Sequence, residues 1–100
     1  MTIKMYTVDA PIQSWVADHQ NEIFSDILSQ CEAKLNDNDG TYRIDVALLK
    51  TENGVTKFII KDAPGVIESL ERAMNYFAES ERYESAARAR DCIKAWKELV

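Results

Sequence analysis

Three groups of side chains in this 100-residue sequence have the types and spacing that chemistry needs. The first is acidic. Asp18, Glu22 and Asp26 stand four apart, so a helix would align them with carboxylates about 6 Å apart along its axis. That is near the spacing of phosphates along one nucleic-acid strand, and Asp37 and Asp39 would extend the row. Such a face can act as a decoy for a basic groove, or simply be the solvated side of a surface helix. The second group is basic: Arg82, Arg88, Arg90, Lys94 and Lys97. Arg82, Arg88 and Arg90 are candidates to hold an anion or a nucleotide phosphate, with the first turn of a helix beside Arg82. The competing reading pairs these cations with Glu79, Glu81, Glu84, Asp91 and Glu98 on the surface. The third group centres on His19, with Asp18 beside it and Glu22 three residues on. One histidine and two carboxylates fall short of a structural zinc set, so a packed, hydrogen-bonded histidine is expected and no metal.

No sequence motif supports a nucleophilic set such as Ser-His-Asp or Cys-His, whose members can lie far apart in a chain. There is no Gly-x-Ser-x-Gly turn, and Gly40, Gly54 and Gly65 each fit a turn or a helix start rather than a phosphate-cradling loop. No enzyme activity and no cofactor are expected. Cys31 and Cys92 have no CxxC partner, and are read as buried free thiols.

Charge narrows the partners. Seventeen acidic and twelve basic residues give a net charge of −5. The first 40 residues carry the whole excess, with Lys4 and Lys34 against seven acids; residues 41–100 hold ten of each sign. An acidic chain repels nucleic acid at long range, which argues against a general DNA or RNA binder. No apolar run approaches the ~20 residues of a membrane span, and no basic-then-apolar leader is seen at the N-terminus. A cytoplasmic, globular chain is expected.

The elements that must position these groups follow from periodicity. Residues 2–8 read as a strand, with Ile3, Met5 and Thr7 on one face and Lys4, Tyr6 and Val8 on the other. After Asp9-Ala10-Pro11, one long helix is expected over 11–35, with Ile12, Trp15, Val16, His19, Ile23, Ile27, Cys31 and Leu35 as its apolar stripe. Residues 42–50 read as a strand, with Tyr42, Ile44, Val46 and Leu48 on one face and Ala47 and Leu49 on the other. Asn53-Gly54 predicts a type I′ hairpin to a strand over 55–61. That turn sets Leu49 opposite Phe58, Leu48 opposite Ile59 and Lys50 opposite Lys57, a like-charge pair. Both faces of the sheet are then partly apolar, and one needs a second layer or another subunit. Asp62-Ala63-Pro64 repeats the earlier tripeptide. A helix over 65–79 and another over 83–99 follow, joined by so short a link that they must form an antiparallel hairpin. The expectation is a single α+β domain over 1–100, in the order β-α-β-β-α-α, with a β-α-β-β part over 1–62 and a helical hairpin over 63–100.

One local resemblance stands out. Leu70-Glu71 and Met74 are followed by Tyr83-Glu84-x-Ala86-Ala87 and then Arg90-Asp91-x-Ile93-x-x-Trp96. This resembles the UVR motif, a helical hairpin of bacterial excision-repair nuclease subunits and some Clp-protease adaptors. The resemblance implies a non-catalytic protein–protein contact module that pairs with a similar hairpin. Ala89 stands where the family usually has Leu, Phe77 where it has a small residue, and Trp96 where it has an aliphatic one. Exchanging large for small at 77 and small for large at 89 conserves core volume.

Small Ala86, Ala87 and Ala89 would let a neighbouring helix approach closely, and Arg90 would reach Glu71 or Glu79 on the facing helix. The expected contact residues are Phe77, Tyr83, Ala86, Ala89, Arg90, Ile93 and Trp96. The hairpin either covers the chain's own sheet or meets another hairpin. The leading expectation is a self-associating interaction module, a homo-oligomer with a further protein partner. The alternative is a small inhibitor of the kind phages encode. It would be an acidic decoy through Asp18, Glu22 and Asp26, or a nucleotide-sequestering oligomer through Arg82, Arg88 and Arg90.

Overall fold

A computed structural model of the chain describes residues 3–36 and 42–99. Its sheet has three strands in the order β1-β2-β3. Strand β1 (Lys4–Thr7) pairs parallel with β2 (Ile44–Thr51), and β3 (Gly54–Ile60) pairs antiparallel with β2. A parallel neighbour needs a crossover, which α1 (Ile12–Asp18) and α2 (Gln20–Asn36) supply. Central β2 reads as a run of apolar residues because it is paired on both sides and covered: Ile44, Val46, Ala47 and Leu49 are all buried. Ile23, Ile27, Leu28 and Cys31 of α2 join the same core. Helices α3 (Ala63–Glu79) and α4 (Tyr83–Leu99) form the expected antiparallel hairpin. Helix α2 touches β2, α3 and α4, so it joins the sheet to the hairpin. The fold is α+β, as expected, with the order β-α-α-β-β-α-α.

The extra helix corrects one expectation. The segment over 11–35 is not one helix, because it breaks at His19 (φ −121°, ψ 34°). The His19 ring donates from Nδ1 to the Trp15 carbonyl at 2.8 Å and stacks on the Trp15 indole, with centroids 4.2 Å apart. Its N–H bonds to Val16 O instead of closing a full helical turn. A local side-chain bond of this kind competes with the helical ladder. The histidine is packed and hydrogen-bonded, and no cluster of metal-ligating side chains surrounds it among the described residues.

The hairpin register also differs from expectation. Thr51 pairs with Gly54, so Glu52-Asn53 forms the two-residue loop. Thr51 Oγ1 accepts from the Asn53 N–H at 3.2 Å, and Gly54 takes the positive φ (124°) that glycine tolerates. Leu49 therefore faces Thr56, Leu48 faces Lys57, and Lys50 faces Val55 rather than Lys57. Lys57 instead lies 3.7 Å from Asp45. A register shift between Asp45 and Ala47 marks a bulge, which lets Val46 and Ala47 be buried in succession. Strict alternation along β2 fails there. Strand β1 starts at Lys4 and β2 at Ile44, later than expected, whereas α3 starts at Ala63, two residues early. The turn expected at 37–40 lies outside the described residues.

Candidate interaction face of the helical hairpin

The hairpin is built from its turn outward. Helix α3 ends at Glu79 with Ser80 as its C-cap, and Glu81 takes the left-handed conformation (φ 59°). The Arg82 N–H bonds to Phe77 O at 2.7 Å and the Glu81 N–H to Ala78 O at 3.1 Å. This is the Schellman arrangement, with a glutamate at the position that glycine or asparagine usually takes. The Ala86 N–H then bonds to Arg82 O at 3.0 Å, so α4 begins without a linker. The reversal leaves the Tyr83 ring 67% exposed at the tip.

Within the hairpin, the expected contact residues separate into two sets. Phe77, Ala89, Ile93 and Trp96 point inward and are buried in the core of this chain. Trp96 also donates from Nε1 to Cys31 O at 3.2 Å and meets the Tyr42 ring edge-on at 6.2 Å. While the domain is folded, these four hold α4 against α2 and α3 and present nothing to a partner. Tyr83 and Arg90 lie outside, and Ala86 is half-buried. Arg90 meets neither Glu71 nor Glu79. Its Nε and Nη2 both donate to Asp91 Oδ1 at 3.2 Å. Helical spacing places Tyr83, Ala87, Arg90, Lys94 and Lys97 along one outward ridge of α4. Glu68, Glu71 and Glu79 are exposed on α3.

The arginine set for an anion does not assemble. Arg88 turns to α2, where its guanidinium hydrogen-bonds Glu32 through both Nε and Nη2, the Nε contact at 3.3 Å. That bond, foremost, holds the Arg88 guanidinium even more firmly protonated than usual. Arg90 lies two residues on, about 200° round the helix, and Arg82 sits at the tip.

The acidic row does not assemble either. Asp18 precedes the break at His19, Glu22 follows it, and Asp26 is only 6% exposed. Asp26 accepts the Tyr6 hydroxyl and lies 3.3 Å from Lys4 Nζ, which ties α2 to β1. Burial first, and then the bond to Asp26, push the Tyr6 hydroxyl above its ordinary range. A decoy face cannot use a carboxylate held this way. Asp37 and Asp39 lie outside the described residues. The Lys4–Tyr6–Asp26 cluster is the feature that sequence reasoning missed. Its signal was present: Asp26 sits at helical spacing between Ile23 and Ile27, on the buried stripe.

The two thiols are free and buried, and burial pushes both up, Cys92 from 9.0 to about 11. Thiols in that state are poor nucleophiles at neutral pH.

Residues 65–99 match the family model described as the UvrB/uvrC motif. The match opens inside α3 and closes on the last residue of α4, so it coincides with the hairpin. The motif is a non-catalytic interaction module. No curated protein and no solved structure matches the chain. Among the described residues no helix is long and apolar enough to cross a membrane.

Proposed function

We propose that this protein is a non-enzymatic interaction module that self-associates through the outward ridges of α3 and α4. The coincidence of the family match with a structural hairpin carries the reading. Charge supports pairing with a second copy. The exposed side of α3 bears Glu68, Glu71 and Glu79, and the ridge of α4 bears Arg90, Lys94 and Lys97. Under a two-fold axis, α3 of one hairpin meets α4 of the other, twice. Tyr83 supplies an exposed aromatic anchor at the rim, and the inward residues keep the hairpin rigid.

Sedimentation equilibrium tests this. The chain is expected to dimerise at concentrations of about 10–100 µM. Arg90→Glu with Lys94→Glu should give a monomer of unchanged helicity. Adding Glu68→Lys and Glu71→Lys should restore the dimer. A chain that is monomeric at about 1 mM, or a dimer indifferent to the first pair, would sink the reading.

A further inference from the structure

Helices α1 and α2 are separated by a single residue, His19. No glycine or proline stands between Ile12 and Asn36, and Ile12, Trp15, Val16, Ile23 and Ile27 keep one apolar stripe across the break. On the far side the ladder is already helical, since the Ile23 N–H bonds to His19 O at 3.1 Å. At the break itself the His19 N–H reaches only to Val16 O. The His19 ring takes up Trp15 O, the acceptor that a continuous helix would give to that N–H. Resetting the backbone of this one residue would therefore join 12–36 into one helix, about 37 Å long.

The part ahead of the break can move as one piece. Tyr6 of β1 packs on Trp15 of α1 with centroids 5.2 Å apart, which holds strand and helix together. This piece is fastened to α2 and the elements after it. Strand β1 lies along β2, the Val8 N–H bonds to Lys50 O, Lys4 and Tyr6 meet Asp26, and Trp15 and Val16 pack on the core. Straightening at His19 would carry all of these contacts away at once. It would open an edge of central β2, empty the site that Trp15 fills, and leave the buried Asp26 without partners. The segment that fits the vacated place, by register and by charge, is residues 3–18 of a second copy.

We propose that two copies of this protein exchange residues 3–18, with α1 and α2 joined into one helix that crosses from each copy to the other. The β1–β2 register, the Asp26 cluster and the Trp15 packing are remade between copies, so no new surface has to be complementary. Exchange of an identical element is a low-cost route to a dimer for this reason. Each copy gains helical bonds at the hinge and gives up the bond from the His19 ring to Trp15 O. The loss of freedom on pairing two chains opposes exchange, so its extent depends on concentration. Neither Arg90 nor Lys94 of the hairpin ridge takes part.

The full chain, held at about 1 mM and separated by size exclusion, is expected to yield a dimer. That dimer should revert only slowly on dilution, because its sheets must open first. In dimers made from mixed isotope-labelled and unlabelled chains, filtered NOE spectra should place Met5 against Leu48 between chains. His19→Ala frees Trp15 O and favours the straight helix, so it should raise the dimerisation constant about tenfold or more. His19→Gly also loses the ring bond but disfavours the helix, so its constant should lie about tenfold or more below that of His19→Ala. Should either variant fold poorly, the spectra of the unaltered chain decide. Met5–Leu48 contacts confined to single chains, equal constants for the two variants, or no dimer at about 1 mM would overturn the proposal. A dimer that Arg90→Glu with Lys94→Glu dissociates belongs to the hairpin ridges, and that too overturns exchange. A dimer that survives this pair and shows the crossed contacts upholds exchange and removes the ridge reading instead.

Discussion

Two junctions in this chain begin alike and end differently. Both leave a strand, pass through Asp-Ala-Pro, and enter a helix. At the second, the Asp62 carboxylate accepts the Gly65 N–H at 2.8 Å, and α3 runs 17 residues. Gly65 fits because a Cβ there would come within 2.9 Å of Asp62 Oδ1 and 3.1 Å of Ile60 Cγ2. At the first, the Val8 N–H is held by Lys50 O at 2.8 Å, Asp9 caps nothing, and the cap position falls on Pro11. Helix α1 lasts 7 residues and stops at His19. The same tripeptide therefore initiates a helix firmly only where the residue three after Asp presents its amide. What distinguishes the two is Gly65 against Ile12.

Substitutions on either side can sharpen or break this contrast. The largest effect is expected in the well-capped hairpin. Trp96→Ala should cost about 3–5 kcal/mol in urea denaturation, because it empties a buried site shared by α4 and α2. Ala89→Glu should unfold the domain rather than merely dissociate it, since Ala89 is buried inside the chain. A folded, monomeric Ala89→Glu protein would show that this face is free after all.

Next in size is alkaline destabilisation. Cys92 has a folded pKa near 11 against 9.0 unfolded, and Cys31 and Tyr6 are raised as well. Above pH 9 the unfolded chain releases thiol protons that the native chain retains. This contribution is complete below pH 9 and is lost as pH rises toward about 11. Cys92→Ala should flatten that decline between pH 9 and 11 in denaturation midpoints.

Smaller again is the cap comparison. Asp62→Ala should cost about 1 kcal/mol, and Asp9→Ala less than about 0.5 kcal/mol. Equal losses in thermal melts would erase the distinction between the junctions. Smallest is Glu81→Gly, which should add about 0.5 kcal/mol by relieving the left-handed backbone at the hairpin turn.

The hairpin was the most legible part of the sequence. Ile67, Leu70, Met74 and Phe77, and then Ala86, Ala89, Ile93 and Trp96, repeat at helical spacing around a link too short to allow anything but reversal. The bounds of α4 agree with expectation to the residue. What periodicity could not say is which side of an amphipathic pair meets its own chain and which meets another. Phe77, Ala89, Ile93 and Trp96 went inward because α2 stood ready to cover them. The break at His19 was hidden for a different reason. The apolar stripe continues across it, and only a side-chain bond to Trp15 O interrupts the ladder. The bulge at Val46 was hidden because residues 46–49 are all apolar, so the expected alternation of faces there had no polar residue to contradict it. The Asp26 cluster was masked by its neighbours in sequence, since Glu22 made the row look solvated.

The parallel seat of β1 beside β2 has a consequence for the order of assembly. Residues about forty positions apart in sequence must meet to form that pairing, whereas α3 and α4 meet across a turn. Loop closure therefore delays β1 until the crossover helices are in place. The strand is four residues long, most of it exposed, and fastened chiefly by Lys4 and Tyr6 to Asp26. It should be the last element to dock and the first to detach. In hydrogen exchange its amides are expected to open well before those of α3 and β2.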